Sequence, residues 1–288
     1  MPSLTFKGVS FKRNSAFEIN IAEVMSEIEK NPRAAEQYAT FFQKISSCYS
    51  TNCKIIFSGD SLSNKRFEAA ILKNKLAKLF DVVLSNISSE AISVEFEHLF
   101  SFKSLVAQVL LTNEKFKEGS PINGFALRES RVESAAEVKL FTDILKKLHL
   151  CELDFSRNPL NDRALKAVVE FAKHNPQLQS IRVGDQDTQN TITSDGLKAL
   201  SDALKDSLSL RDLDIRGCAI NTASAKILAD FLKENQVPNF LYQSRFVEKD
   251  ADNLLREARS LAQAPTQSSK ALSFEPLVEK QQKHWLDA

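Results

Sequence analysis

The stretch Leu150-Cys151-Glu152-Leu153-Asp154-Phe155-Ser156-Arg157-Asn158-Pro159-Leu160 carries apolar side chains at relative positions 0, 3, 5 and 10. The same template recurs on both sides of it. Upstream, by 28 residues, stand Ile122, Phe125, Leu127 and Val132; downstream stand Leu178, Ile181, Val183 and Ile192, then Leu210, Leu213, Ile215 and Ile220. All sixteen positions are apolar in a chain that is 43% apolar. The chance probability is roughly one in a million before allowing for choice of register, so the chain is built of repeats. The third copy is longer: Leu178 and Leu210 are 32 positions apart, and the four extra residues lie in Gly184 to Thr191. A fifth, weaker copy fits Val237, Phe240, Tyr242 and Val247 after a one-residue deletion, as expected of a terminal repeat worn into a cap.

Each unit reads as a short strand followed by a helix. Leu153 and Phe155 alternate with polar neighbours and so share one strand face. Apolar residues then return at helical spacing: Leu165, Val168 and Ala172 in one copy, Leu197, Leu200 and Leu204 in the next, Ala225, Leu228 and Leu232 in the last. The first copy departs at Glu137 but keeps Leu140 and Ile144. Asn161, Thr193 and Asn221 stand where each helix starts, and a side-chain oxygen there can accept an otherwise unpaired backbone N–H.

The sets Leu150, Leu153, Phe155, Asn158, Leu160 and Leu210, Leu213, Ile215, Cys218, Ile220 match LxxLxLxxN/CxL. On these residues the chain resembles the leucine-rich repeat family, in particular its ribonuclease-inhibitor-like class, over about residues 120 to 235. The resemblance implies an α/β leucine-rich repeat solenoid, a horseshoe with parallel strands on the concave side and helices on the convex side. Strands stack about 4.8 Å apart and helices about 10 Å, so such a stack must bend toward its strands. Two departures predict a broken side-chain ladder in the turns: Ser130 replaces Asn in the first copy, and the insertion displaces Asn190.

Residues 119–263 are read as the repeats with their C-terminal cap. Residues 1–118 read as an N-terminal α/β region, divergent repeats of the same solenoid. There Ile55, Phe57 and Leu62 precede a helical stretch from Asn64 to Phe80. Ile92, Val94 and Phe96 alternate as a strand before a helix from Ser101 to Leu111. Leu4, Phe6, Val9, Phe11, Phe17 and Ile19 suggest short strands, and Ala22–Glu29 and Arg33–Ser47 helices separated by Pro32. Residues 264–288 form a linker and tail with the single Trp of the chain, Trp285, which with Leu286 could anchor the tail or form a recognition element.

Template positions 1, 2, 4, 6 and 7 are expected to point from the concavity to solvent. They hold the candidate protein-binding residues Glu152, Asp154, Arg157, Arg182, Asp185, Arg211, Asp212, Asp214, Arg216 and Gln243, with Asp187 in the inserted loop. The bland alternative is a solvated strand face, which is also commonly charged. Five strands of about five residues give a footprint of roughly 400 Å², against about 800 Å² per partner in a standard interface. A tight partner would therefore also touch the strand-to-helix loops, and Gly184–Thr191 is the obvious extra contact. The other reading of that loop is a tolerated insertion.

With 38 basic and 37 acidic residues there is no field to hold nucleic acid. Neither a signal-peptide core nor a run of membrane-spanning length is present, so the chain is expected to be cytosolic. Cys48, Cys53, Cys151 and Cys218 have neither disulfide-framework nor zinc spacing and read as reduced thiols, with Cys218 in the Asn/Cys ladder position. His98, His149, His174 and His284 are scattered, and no phosphate loop or nucleophile motif is present. No catalytic, cofactor or metal site is expected.

The resemblance implies a non-enzymatic module that covers a protein target, often an enzyme, with its concave face and rim loops; the free chain is expected to be monomeric. The tail, with Glu275 and Glu279 ahead of terminal apolar residues, resembles translocation signals of effectors secreted by type IV systems. The chain is in this respect similar to leucine-rich repeat effectors of intracellular bacterial pathogens, which act on a host protein or another effector in the host cytosol. Two alternatives stay open. One is a GTPase-activating regulator of the repeat-built type using Arg157 or Asn158; the other is an effector with a cryptic ubiquitin-ligase activity in residues 1–118, needing Cys48 or Cys53 as nucleophile.

Overall fold

The computed structural model describes residues 7–12, 16–31, 33–48, 53–59, 69–185, 187, 190–235, 237–243 and 247–263. The readings of Leu4, Phe6, Pro32, Leu62, residues 64–68 and the tail from residue 264 fall outside them. Strand and helix alternate along the described chain. After β1 (Val9–Lys12) come β2 (Ala16–Asn20), α1 (Ile21–Lys30), α2 (Ala34–Cys48), β3 (Cys53–Ser58), α3 (Ala69–Leu84), β4 (Ile92–Glu97) and α4 (Lys103–Thr112). They are followed by β5 (Ile122–Arg128), α5 (Ala135–Leu145), β6 (Glu152–Asp154), α6 (Asp162–Lys173), β7 (Ser180–Arg182) and α7 (Ser194–Leu204). The described chain closes with β8 (Asp212–Asp214), α8 (Thr222–Asn235), β9 (Asn239–Leu241) and α9 (Lys249–Gln263).

The strands form one nine-stranded sheet in sequence order, β1 to β9. Every pairing is parallel except β1 with β2. A parallel neighbour requires a crossover, and here each crossover carries a helix. The helices lie in file as the strands do, each packing on the next from α1 to α9.

Register explains why the apolar template recurs. Phe17, Ile55, Val94, Phe125, Leu153, Ile181, Leu213 and Phe240 are paired in turn across the sheet, one continuous column. None of the eight is more than 1% exposed. The other template positions are buried with them: all sixteen are exposed by 2% or less. Each such side chain contributes about 1.5–3 kcal/mol by leaving water. The abundance of Phe has a packing reason as well. Phe57 stacks on Phe96 at 5.2 Å and meets Phe80 edge-on at 4.9 Å, and Phe125 continues the line toward Phe155.

Asn161 and Thr193 cap α6 and α7 by accepting from Ala164 N and Asp195 N, and Asn221 accepts from Ser224 N at the start of α8. Glu137, the departure in the first copy, closes a capping box with Ser134 at the start of α5. The predicted break in the turn ladder does not occur. Asn158, 1% exposed, accepts from Ser130 N and Val132 N and donates to Leu127 O, Phe155 O and Ser156 O. Asn190 reaches the same place despite the insertion, accepting from Leu160 N and donating to Val183 O. Ser130 bonds Leu99 N and Arg128 O with its short hydroxyl. The extra residues are therefore absorbed before Asn190, and the polar spine runs on to Cys218, whose sulfur lies 3.8 Å from Asn190 Nδ2.

Candidate protein-binding face

Strand alternation sends the residues between the core columns to the opposite face of the sheet. One such column runs Ile56, Glu95, Ala126, Asp154, Arg182, Asp214 and Leu241, and beside it runs Lys54, Ser93, Gly124, Glu152, Ser180, Asp212 and Asn239. Glu152, Asn239 and Leu241 are exposed, and Lys54, Ser93, Arg182 and Asp212 half-exposed, so among the described residues no helix covers this face. Of the other candidate residues, Arg157, Asp187 and Arg211 are exposed and Arg216 and Gln243 half-exposed.

Three of the candidates do not face solvent as expected. Asp154, Asp185 and Asp214 are 5%, 7% and 3% exposed. The reason is pairing with arginines: those of neighbouring strands and turns lie over Asp154 and Asp185, and the arginine of its own turn lies over Asp214. Arg128 donates through Nε and Nη2 to Asp154 Oδ2 at 2.9 and 2.5 Å and through Nη1 to Glu95 at 2.5 Å. Between those two acids the column holds only Ala126, which leaves room for the guanidinium to span them. Arg182 adds a contact of 3.6 Å to Asp154, and Arg216 folds back on Asp214 at 2.6 Å. Asp212 accepts from Asn239 at 2.7 Å.

Burial alone would raise the Asp154 carboxyl, but the charge and hydrogen bonds of Arg128 and a bond from Ser156 hold it below the ordinary carboxylate range. Burial would likewise lower Arg128, and its acidic partners raise it instead. Glu95, fully buried, lies against Lys54 Nζ, though off the line of a good hydrogen bond. Glu97 is pushed up to about 7 by burial and by its neighbour Glu95.

Arg128, Glu95, Glu97 and Lys54 were not among the candidates. Arg128 stands at template position 6, equivalent to Arg216, and could have been found by carrying the template into the first copy. Glu95 and Lys54 sit on strands outside the regular spacing.

At the strand C-termini the turns form a rim. Template position 7 places His98, Glu129, Arg157 and Asp185 in a row. His98 Nε2 lies 3.4 Å from Glu129, and Arg157 bonds Glu129 on one side and Asp185, at 3.4 Å, on the other. This row borders an open cavity of about 480 Å³, flanked by Phe100, Arg131 and Asp187.

Cys218 and Cys53 are buried and their thiols pushed up by burial to about 12 and about 11, which suits packing more than nucleophilic chemistry. Cys151 is half-exposed. Among the described residues no helix is long and apolar enough to cross a membrane, and no group of three His, Cys, Asp or Glu side chains is arranged to hold a metal ion. Compared with known protein families and with curated proteins, the chain matches none. The class defined by the coordinates is an α/β protein with a mostly parallel sheet, strand and helix alternating in a solenoid-like array.

Proposed function

We propose that this chain is a non-enzymatic protein-binding module of the leucine-rich repeat kind, a horseshoe that occludes a protein target with its strand face and the adjoining turns. The observation that carries this reading is the sheet face, uncovered among the described residues: a largely polar surface crossing the strands, exposed at Glu152, Arg211 and Asn239 and half-exposed at Arg182. Helix-covered α/β sheets have no such surface. A partner seated there would meet charges of both signs, and the rim turns supply the area that the short strands lack.

The test is partner capture with wild-type chain and with Glu152→Arg plus Arg211→Glu, two exposed positions whose side chains make no hydrogen bond or ion pair among the described residues. Loss of one specific partner at unchanged Tm is the expected result. Capture of the same partner by both proteins would remove the strand face from the account. The accompanying proposal, that the protein acts as a translocated bacterial effector on a host protein or another effector, rests on the tail sequence around Glu275 and Glu279. A translocation assay comparing the full chain with one ending at residue 263 tests it, and equal delivery would overturn it.

A further inference from the structure

Five non-glycine residues among those described have a left-handed backbone: His98 (φ 57°), Phe100 (42°), Glu129 (47°), Arg131 (53°) and Arg157 (58°). All five line the same rim cavity. Left-handed backbone is costly for a residue with a Cβ and nearly free for glycine. Gly217, at template position 7 of the fourth copy, adopts the same conformation with φ 80°, whereas Asp185 at that position of the lengthened third copy does not. Glycine would thus serve the turn at positions 98, 129 and 157, and the chain instead places a charged or titratable side chain at each. Strain kept at adjacent turns around one cavity points to side chains retained for what they contact.

The charged groups of that row are already engaged with one another. Arg157 is engaged by Glu129 and Asp185. Arg131 differs. It is exposed, its guanidinium carbon stands 5.3 Å from the centre of the Phe100 ring, and no carboxylate of the described residues lies within ion-pair distance of it. Its turn is fixed from below, where the Lys103 ammonium donates to Ser130 O and, at 2.6 Å, to Arg131 O. A guanidinium held over an aromatic ring keeps its planar N–H fork directed outward, pre-organised for a two-oxygen acceptor.

From this we infer that the Arg131–Phe100 corner of the rim is a subsite for a carboxylate side chain of the protein partner. The inference rests on the protein-binding reading above and supplies the chemistry of one contact. A carboxylate fits better than a phosphate. One free guanidinium balances a single negative charge, whereas the excess acid of the row, where Glu129 and Asp185 share the single guanidinium of Arg157, and exposed Asp187 beyond it repel a dianion. Asp187 also gives the cavity a direction, with the acceptor for an acid at the Arg131 end.

The experiment titrates the full chain with an acetylated, amidated Gly-Gly-Glu-Gly-Gly peptide, with its Gln counterpart and with inorganic phosphate, following the Arg131 Nε–Hε resonance. Saturable movement with the Glu peptide, absent with the Gln peptide and weaker with phosphate, is the expected result. Arg131→Gly is expected to abolish the response and to leave Tm unchanged or higher, because glycine relieves the left-handed turn. No saturable movement, an equal response to the Gln peptide, or tighter binding of phosphate would overturn the subsite. A lowered Tm in Arg131→Gly would make the residue structural and overturn it equally. Specific partner capture that depends on Glu152 and Arg211, with no response to the Glu peptide, would sink the subsite alone. Peptide binding with capture indifferent to the strand face would sink the broader reading instead.

Discussion

At the residue scale, the same physics that made Asn158 readable hid the state of its neighbours. Asn158 could be placed from the sequence because it fills a fixed position of the repeat template, from which one amide satisfies both its own turn and the turn of the preceding unit. The burial of Asp154 could not, because it depends on Arg128 reaching across from the previous strand, a side-chain contact that the apolar template does not specify. Glu97 is a similar case. With its folded pKa near 7 against an ordinary 4.5, the folded chain holds a proton that the unfolded chain releases between those values. The associated stability is complete below about pH 4.5 and is lost as pH rises through about 7. Asp154 acts in the opposite sense, its contribution fading as pH falls below 3.8. Glu97→Gln should therefore flatten the decline in Tm over the Glu97 window and leave the acid limb intact, as measured by thermal unfolding across pH. A wild-type slope in the variant would assign the proton elsewhere.

At the element scale, legibility followed spacing. Successive members of the central column are 38, 39, 31, 28, 28, 32 and 27 residues apart from Phe17 to Phe240. Where the interval holds near 28 the template exposes every rung; across β2 to β4 the strands are as regular but the connections are longer, so only the alternation within each strand was visible. The expectation of strand-then-helix order nevertheless agrees with β3, α3, β4 and α4. The insertion after β7 misled in the other direction, since it lengthens the turn without moving Asn190 from its bonds. What that turn cannot accept is bulk at its start. A Cβ on Gly184 would stand 2.2 Å from Arg216 O and 2.3 Å from Arg216 N, backbone that has nowhere to retreat. Gly184→Ala is expected to cost about 3 kcal/mol by urea denaturation, and a loss within about 0.5 kcal/mol, ordinary for a surface change, would show that the two turns are less closely stacked than described.

At the scale of the whole molecule, sequence-order stacking means that, among the described residues, each unit is held chiefly by its two neighbours. Arrays of that kind open in parts. Two sulfurs happen to sit far apart along the file, Cys53 in β3 and Cys218 just beyond β8, each 1% exposed. With Cys48 and Cys151 replaced by Ser, iodoacetamide can reach either thiol only when its own stretch loosens, so mass spectrometry of the alkylated chain becomes a pair of clocks. Unequal rates are the expected outcome, one for each region; identical rates across urea concentrations would mean that the file breathes as a single body. Burial that deprives these thiols of chemistry thereby makes them faithful witnesses of where the chain first lets go.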